Sequence, residues 1–183
     1  MIVFRHADPR FPFLWEGAEQ PAARWHDAGE GPVHYFSSTP DAAWAELLRH
    51  EEITDPAELE GISRAMWAVE LRDAPLARPR LASAELLGGA EAYAACRSEA
   101  RRLREAGAEG LIAPSAAVDP EVGSGWRTDR GLRRARRRRE TVVVLFGRRP
   151  DLVGWSACAD GRPRADLLDR VRPLGGASSR RGR

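Results

Sequence analysis

Residues 23–50 read ARWHDAGEGPVHYFSSTPDAAWAELLRH, and the order of local signals in this stretch decides the fold class. Gly29, Gly31 and Pro32 make a turn, after which Val33, Tyr35 and Ser37 alternate with His34 and Phe36. That period of two is the mark of a strand whose side chains point to opposite faces. Thr39 then supplies a helix N-cap and Pro40 a first helical residue with no N–H to satisfy, while Asp41 places a negative charge at the positive helix end. A strand that runs directly into a helix predicts an α/β (α+β) fold. Ala43, Trp44, Leu47 and Leu48 form the apolar stripe of that helix, and Glu46 falls beside it. Two readings of Glu46 stand open: a carboxylate facing a cleft, or a surface partner of Arg49 and His50 one turn away. Arg24 and Tyr35 are the residues that would share such a cleft.

Outward from this stretch, residues 1–4 are an apolar run suited to a buried strand that delivers Arg5 and His6 at its end. Residues 7–22 carry three prolines with Phe11, Phe13, Leu14 and Trp15, which predicts a loop packing its aromatics over the core and covering the cleft. After a short helix begun by Pro56, residues 65–71 alternate as a strand, with Trp67, Val69 and Leu71 set toward the core. Residues 73–87 read as an extended connection, and 91–106 as a helix stopped by Gly107 with Tyr93 and Cys96 packed inward. Residues 110–113 form a buried strand tipped by Ser115, 141–146 the clearest strand of the chain, and 153–155 a last short one. A terminal helix over 164–171 and a Gly/Ser/Arg tail over 175–183, expected to be disordered, complete the chain. One compact domain over 1–174, a central mixed sheet flanked by helices, accounts for the whole pattern.

A chain of 183 residues with 43% hydrophobic content buries one real core. No run of about eighteen apolar residues and no signal segment is present, so neither a membrane span nor secretion is expected, and the cytoplasm is the expected location. Cys96 and Cys158 have no metal or redox spacing and read as two buried thiols, with no metal site expected. Every basic residue apart from histidine is arginine, and the net charge is +2. That modest value speaks against a nucleic-acid partner for the surface as a whole. Charge is concentrated locally, however: eight arginines lie within 127–139, open to reading as a solvated face, a nucleic-acid contact through 133–139, or a partner-binding patch.

FR at 4–5, ARW at 23–25, VHYFSS at 33–38, AWAELL at 43–48, LIAPSA at 111–116 and LLDRVRPL at 167–174 together resemble the RES domain, a family named for its Arg, Glu and Ser. The resemblance places those three on Arg5, Glu46 and Ser115. It implies a fold similar to ADP-ribosyltransferases and NAD+ as substrate, with no resident cofactor and with water or inorganic phosphate as co-substrate. It also implies a cognate antitoxin with a helix-turn-helix region as partner. His6, where many members carry an aromatic residue, and His26, where they carry asparagine, depart from the pattern.

The residue chemistry suits that substrate. A guanidinium stays charged and donates two parallel hydrogen bonds, so Arg5 and Arg24 fit a diphosphate. Tyr35, with Trp25 and His6 beside it, offers a flat face for a ring. Cleaving nicotinamide from ribose builds positive charge on the sugar, which Glu46 would stabilise while Ser115 holds the substrate. A protein ADP-ribosyltransferase and a catalytically inactive binding module of the same fold are the alternatives.

Overall fold

The computed structural model of the protein describes residues 1–17, 19–72, 75–118, 125–135 and 139–175. Strand β1 (Ile2–Ala7) continues through Arg5 and His6, and strand β2 (Val33–Ser37) follows the glycine turn. Helix α1 (Pro40–His50) starts where its signals place it: the Ala42 N–H donates to Thr39 Oγ1 at 3.1 Å, and Asp41 lies in the first turn. Trp44, Leu47 and Leu48 are buried on its inner face. Leu48 is wholly enclosed, so Leu48→Ala would cost about 2–5 kcal/mol in lost burial and residual cavity.

The remaining strands are β3 (Arg64–Glu70), β4 (Leu76–Ala77), β5 (Gly110–Pro114), β6 (Trp126–Thr128), β7 (Leu132–Arg134), β8 (Thr141–Phe146) and β9 (Gly154–Gly161). Helices α2 (Ser83–Leu87) and α3 (Tyr93–Glu105) complete the set, with short 3-10 turns at Pro56–Gly61, Ala90–Ala92 and Ala165–Arg170. Seven strands form one sheet in the order β4-β5-β8-β2-β1-β3-β9, with β4 and β5 parallel and the other neighbours antiparallel. This is a compact α+β domain with a mixed sheet. No helix among the described residues is long and apolar enough to cross a membrane.

The joint between β1 and β2 positions the site. β1 pairs with β3 along its whole length, from Ile2 to Ala7, and β2 pairs with β8 along its own, but β1 and β2 share the single registered pair Phe4↔Ser37. Beyond it the sheet splits. Arg5 and His6 leave on one side of the gap, Tyr35 and Phe36 arrive on the other, and side chains that alternation assigns to opposite faces border the same opening.

Three apolar clusters hold this frame. Trp44, Leu47, Leu48 and Met66 pack between α1 and the sheet, while Trp25, Val33, Cys96, Leu103, Leu111 and Val144 pack under α3. On the opposite face Val3, Phe36, Val69, Val143 and Leu145 are covered by Phe13, Leu14 and Leu152. Burying each of these large side chains contributes about 1.5–3 kcal/mol.

Several expectations change. The loop 7–22 packs Phe13 on Trp67, with ring centres 5.5 Å apart, on the face away from α1 and leaves Phe11 and Trp15 exposed, and none of its described residues lines the site cavity. The sheet is covered on both sides, so Met66 is buried as well as Val69. The stretch 75–87 contains β4 and α2, the final strand β9 is eight residues long, and the terminal helix is a 3-10 turn. Cys96 is buried but Cys158 is exposed on β9, an edge strand with solvent beside it. Of the arginine-rich segment, 126–134 is a hairpin, while 136–138 and the tail from 176 lie outside the described residues.

Candidate active site

A cavity of about 420 Å³ opens at the split between β1 and β2, with α1 as one wall. Arg5, His6, Arg24, Trp25, Tyr35 and Glu46, all named from the sequence, line it, and Arg49, His50, Arg64 and Tyr93 join them. Ser115 is buried behind Glu46 and is not among the lining residues.

Glu46 faces the cavity because it lies at the margin of the buried stripe of α1. Ser115 Oγ donates to Glu46 Oε1 at 2.9 Å and accepts the Ala117 N–H at 3.2 Å. The single proton of that hydroxyl is thereby committed to the carboxylate. Burial raises the Glu46 pKa above the usual carboxylate value; the Ser115 hydrogen bond and the charges of Arg49 and Arg24 act in the opposite sense. The helix start is also tied down: Ser38 Oγ and Thr39 Oγ1 both donate to Glu140 Oε2, and the Ser115 N–H donates to the Glu140 carbonyl. One buried residue thus joins the ends of β2, β5 and β8 to the N-terminus of α1.

The arginines differ in what holds them. The Arg5 guanidinium makes no hydrogen bond among the described residues, and its Nη1 is buried without a partner. Its carbon lies 6.0 Å from the centre of the Phe36 ring, and burial lowers its pKa to about 10. Arg24 donates to the carbonyls of Glu85, Leu86 and Gly88 and lies over the Tyr93 ring at 4.8 Å. Arg49 donates to the same Gly88 carbonyl at 2.9 Å, leaving its buried Nε without a partner. Burial, and next the neighbouring Arg24, lowers the Arg49 pKa. Arg49 is 5% exposed, so the reading of Glu46 and Arg49 as a solvated surface pair is overturned. Neither Arg5, Arg24, Arg49 nor Arg64 makes an ion pair with a carboxylate among the described residues.

The aromatic residues divide similarly. The Tyr35 hydroxyl accepts the Trp25 N–H at 3.1 Å and lies 2.8 Å from His26 Nδ1, which fixes the ring at the cavity wall. Burial pushes its phenol pKa well up. His26 stands where it orients Tyr35 and does not itself line the cavity. Trp25 is 1% exposed and serves the core as much as the wall. His6 lies near-parallel to Trp44 with centres 6.1 Å apart; burial, then the charges of Arg64 and Arg5, lower its pKa to about 4. It is therefore neutral at pH 7.

Sequence reasoning missed Arg49 and Tyr93 as site residues. Helical spacing offered a signal for Arg49, which stands three positions after Glu46 and so on the same side of α1. Tyr93 opens α3, and no local pattern marks its ring as the platform for Arg24. Chemically, the described lining presents four arginines, several aromatic rings and the carboxylates of Glu46, which Ser115 orients, and Glu51, a set suited to an anionic ligand with a flat group and a centre that becomes positive. Among the described residues, no cluster of three His, Cys, Asp or Glu side chains is placed to hold a metal ion.

A chain in the crystal structure of the M. tuberculosis MbcT–MbcA toxin–antitoxin complex has the same fold, with a TM-score of 0.61 at 14% identity over 92% of this chain and 86% of that chain. A search among curated proteins finds no match. The model of the RES domain matches residues 2–164, which include the split sheet, Glu46 and Ser115. The chain belongs to the RES domain family.

Proposed function

We propose that the protein is the toxin of a toxin–antitoxin pair and acts by cleaving the bond between nicotinamide and ribose in NAD+. The observation that carries this reading is Glu46, a carboxylate oriented by Ser115 in a cavity whose arginines make no ion pair among the described residues. Arg5 and Arg49, with uncommitted donors, take the diphosphate, and Arg24 adds charge from its anchored position. Tyr35 offers a face to a ring.

In the reaction the C1′–N bond breaks with its electron pair going to nicotinamide, which leaves neutral and needs no acid. The ribose carbon becomes oxocarbenium-like, and the Glu46 carboxylate stabilises it. An oxygen of phosphate or water then bonds to that same carbon and its proton passes to solvent, giving ADP-ribose from water or ADP-ribose phosphorylated at that carbon from phosphate. Ser115 acts on the carboxylate, fixing its direction before the charge develops. Glu46 works only when ionised, so its raised pKa makes activity fall, as pH drops, sooner than an ordinary carboxylate would dictate.

The test is a time course of NAD+ loss by purified protein with and without inorganic phosphate, alongside Glu46→Ala. The variant should keep its fold and lose about 10²–10³-fold in turnover. Parental turnover in a folded Glu46→Ala protein would refute the role of Glu46. Dependence on phosphate identifies a phosphorylase and independence a glycohydrolase. Radiolabel from NAD+ appearing on a macromolecule would instead indicate an ADP-ribosyltransferase. The MbcT–MbcA likeness supports a cognate antitoxin, read as carrying a helix-turn-helix region, whose titration should stop NAD+ loss.

A further inference from the structure

Between β5 and β8 the chain makes an excursion that leaves the main sheet. Strands β6 and β7 form a two-stranded sheet of their own, with Trp126 opposite Arg134, Arg127 opposite Arg133 and Thr128 opposite Leu132. Opposed residues share a face, so Trp126, Arg134, Thr128 and Leu132 lie on one side and Arg127 and Arg133 on the other. All six are exposed, Trp126 at 54% and Leu132 at 68%. The turn carries Arg130 with φ 51° and Gly131 with φ 118°.

Nothing in the fold accounts for this composition. Arg127, Arg130, Arg133 and Arg134 make no ion pair among the described residues. The Arg134 guanidinium carbon lies 5.5 Å from the centre of the Trp126 ring and holds it in place as a platform. The arginine-rich stretch read from the sequence lacks interleaved aromatics; the hairpin register supplies one.

We propose that this hairpin is a binding site for single-stranded nucleic acid. Four guanidinium groups with no ion pair among the described residues take phosphates, and an exposed indole backed by a guanidinium stacks a base, the combination that single-strand binders use. A duplex hides its base faces from such a platform, and an acidic protein has no base to stack. The inference is independent of the NAD+ reading.

The test is fluorescence anisotropy of labelled twelve-nucleotide oligo(dT) and oligo(rU) with the full chain across a salt series. Four phosphate contacts give a slope of log affinity against log salt of about −3. Trp126→Ala should weaken binding about tenfold. The double variant Arg127→Gln, Arg133→Gln should bring the slope to about −1.5, with the melting temperature and any NAD+ turnover unchanged. The two oligomers together show whether the site prefers DNA or RNA. Absence of binding at 50 mM salt would overturn the proposal. So would binding indifferent to Trp126→Ala in a folded variant, or competition by polyglutamate or a duplex as strong as by the single strand. Should Trp126→Ala fail to fold, the arginine pair and the competition series decide.

Discussion

Arginines stand in two settings on either side of residues 23–26. On α3, Arg97 and Arg101 pair with Asp27 at 2.7 Å each, Arg102 with Glu99 at 2.7 Å and Arg104 with Glu30 at 3.4 Å. In the cavity, Arg5, Arg24 and Arg49 have rings and carbonyls for neighbours and no carboxylate in contact among the described residues. The charges respond accordingly: hydrogen bonds to Asp27 and Glu99 raise the pKa values of Arg101 and Arg102, while burial lowers those of Arg5 and Arg49. A guanidinium removed from water without a counter-ion is a liability to the folded state. The outer set therefore serves the fold, and under the proposed function the inner set meets a charge that arrives with a ligand.

Among the arginines, removing a member of the inner set gives the largest effect. Arg5→Met replaces the guanidinium with an apolar chain, and the expected loss in kcat/KM for NAD+ is about 10–100-fold, the worth of a charge-assisted bond to phosphate. Stability should stay level or rise, because a desolvated charge is gone and no protein partner is orphaned. Thermal melting beside steady-state kinetics checks both. A marked drop in melting temperature would mean that Arg5 is a fold residue after all, and the division between the two sets would fail.

How far the two sets could be told apart in the sequence depends on the range of the signals. Thr39, Pro40 and Asp41 act within one turn, so the start of α1 and the position of Glu46 beside its stripe are legible locally. Ser115 was placed by its motif, but the target of its hydroxyl lies 69 positions away and only the fold brings them together. The fate of Arg49 turns on the split between β1 and β2, a non-local event that makes a cavity where helical periodicity alone suggests solvent. The length of β9 beyond Trp155 escaped because small residues on an exposed edge carry little period-2 contrast. The hairpin of β6 and β7 was hidden by its own charge, since arginine repetition masks alternation.

His6 sharpens the comparison through pH. It lies near the inner arginines, and its pKa falls from 6.5 to about 4. Between those values the unfolded chain takes up a proton that the folded protein refuses. This contribution is therefore fully present above pH 6.5, is lost as pH falls toward 4, and changes no further below that. The difference amounts to up to about 3 kcal/mol. His6→Phe keeps a ring beside Trp44 and removes the titration, so its melting temperature should fall less than the parent's between pH 6.5 and 4. Parallel curves would show that His6 is not cut off from water in the fold and that the charges of Arg64 and Arg5 beside it are screened, and the inner set would look more like the outer one.

The smallest effect belongs to the outer set. Arg101 contacts Asp27 at 2.7 Å and Glu30 at 3.2 Å, but Arg97 still holds Asp27 and Arg104 still holds Glu30 when it is gone. Its side chain is 45% exposed, so water and salt already replace much of what the pairs supply. Arg101→Ala should leave the melting temperature within about two degrees of the parent. Half-molar salt should close even that gap, and NAD+ turnover should not change. Loss of turnover here, with the fold intact, would mean that the field of α3 reaches the ligand, and the presence of a carboxylate partner would no longer be what separates a structural arginine from a binding one.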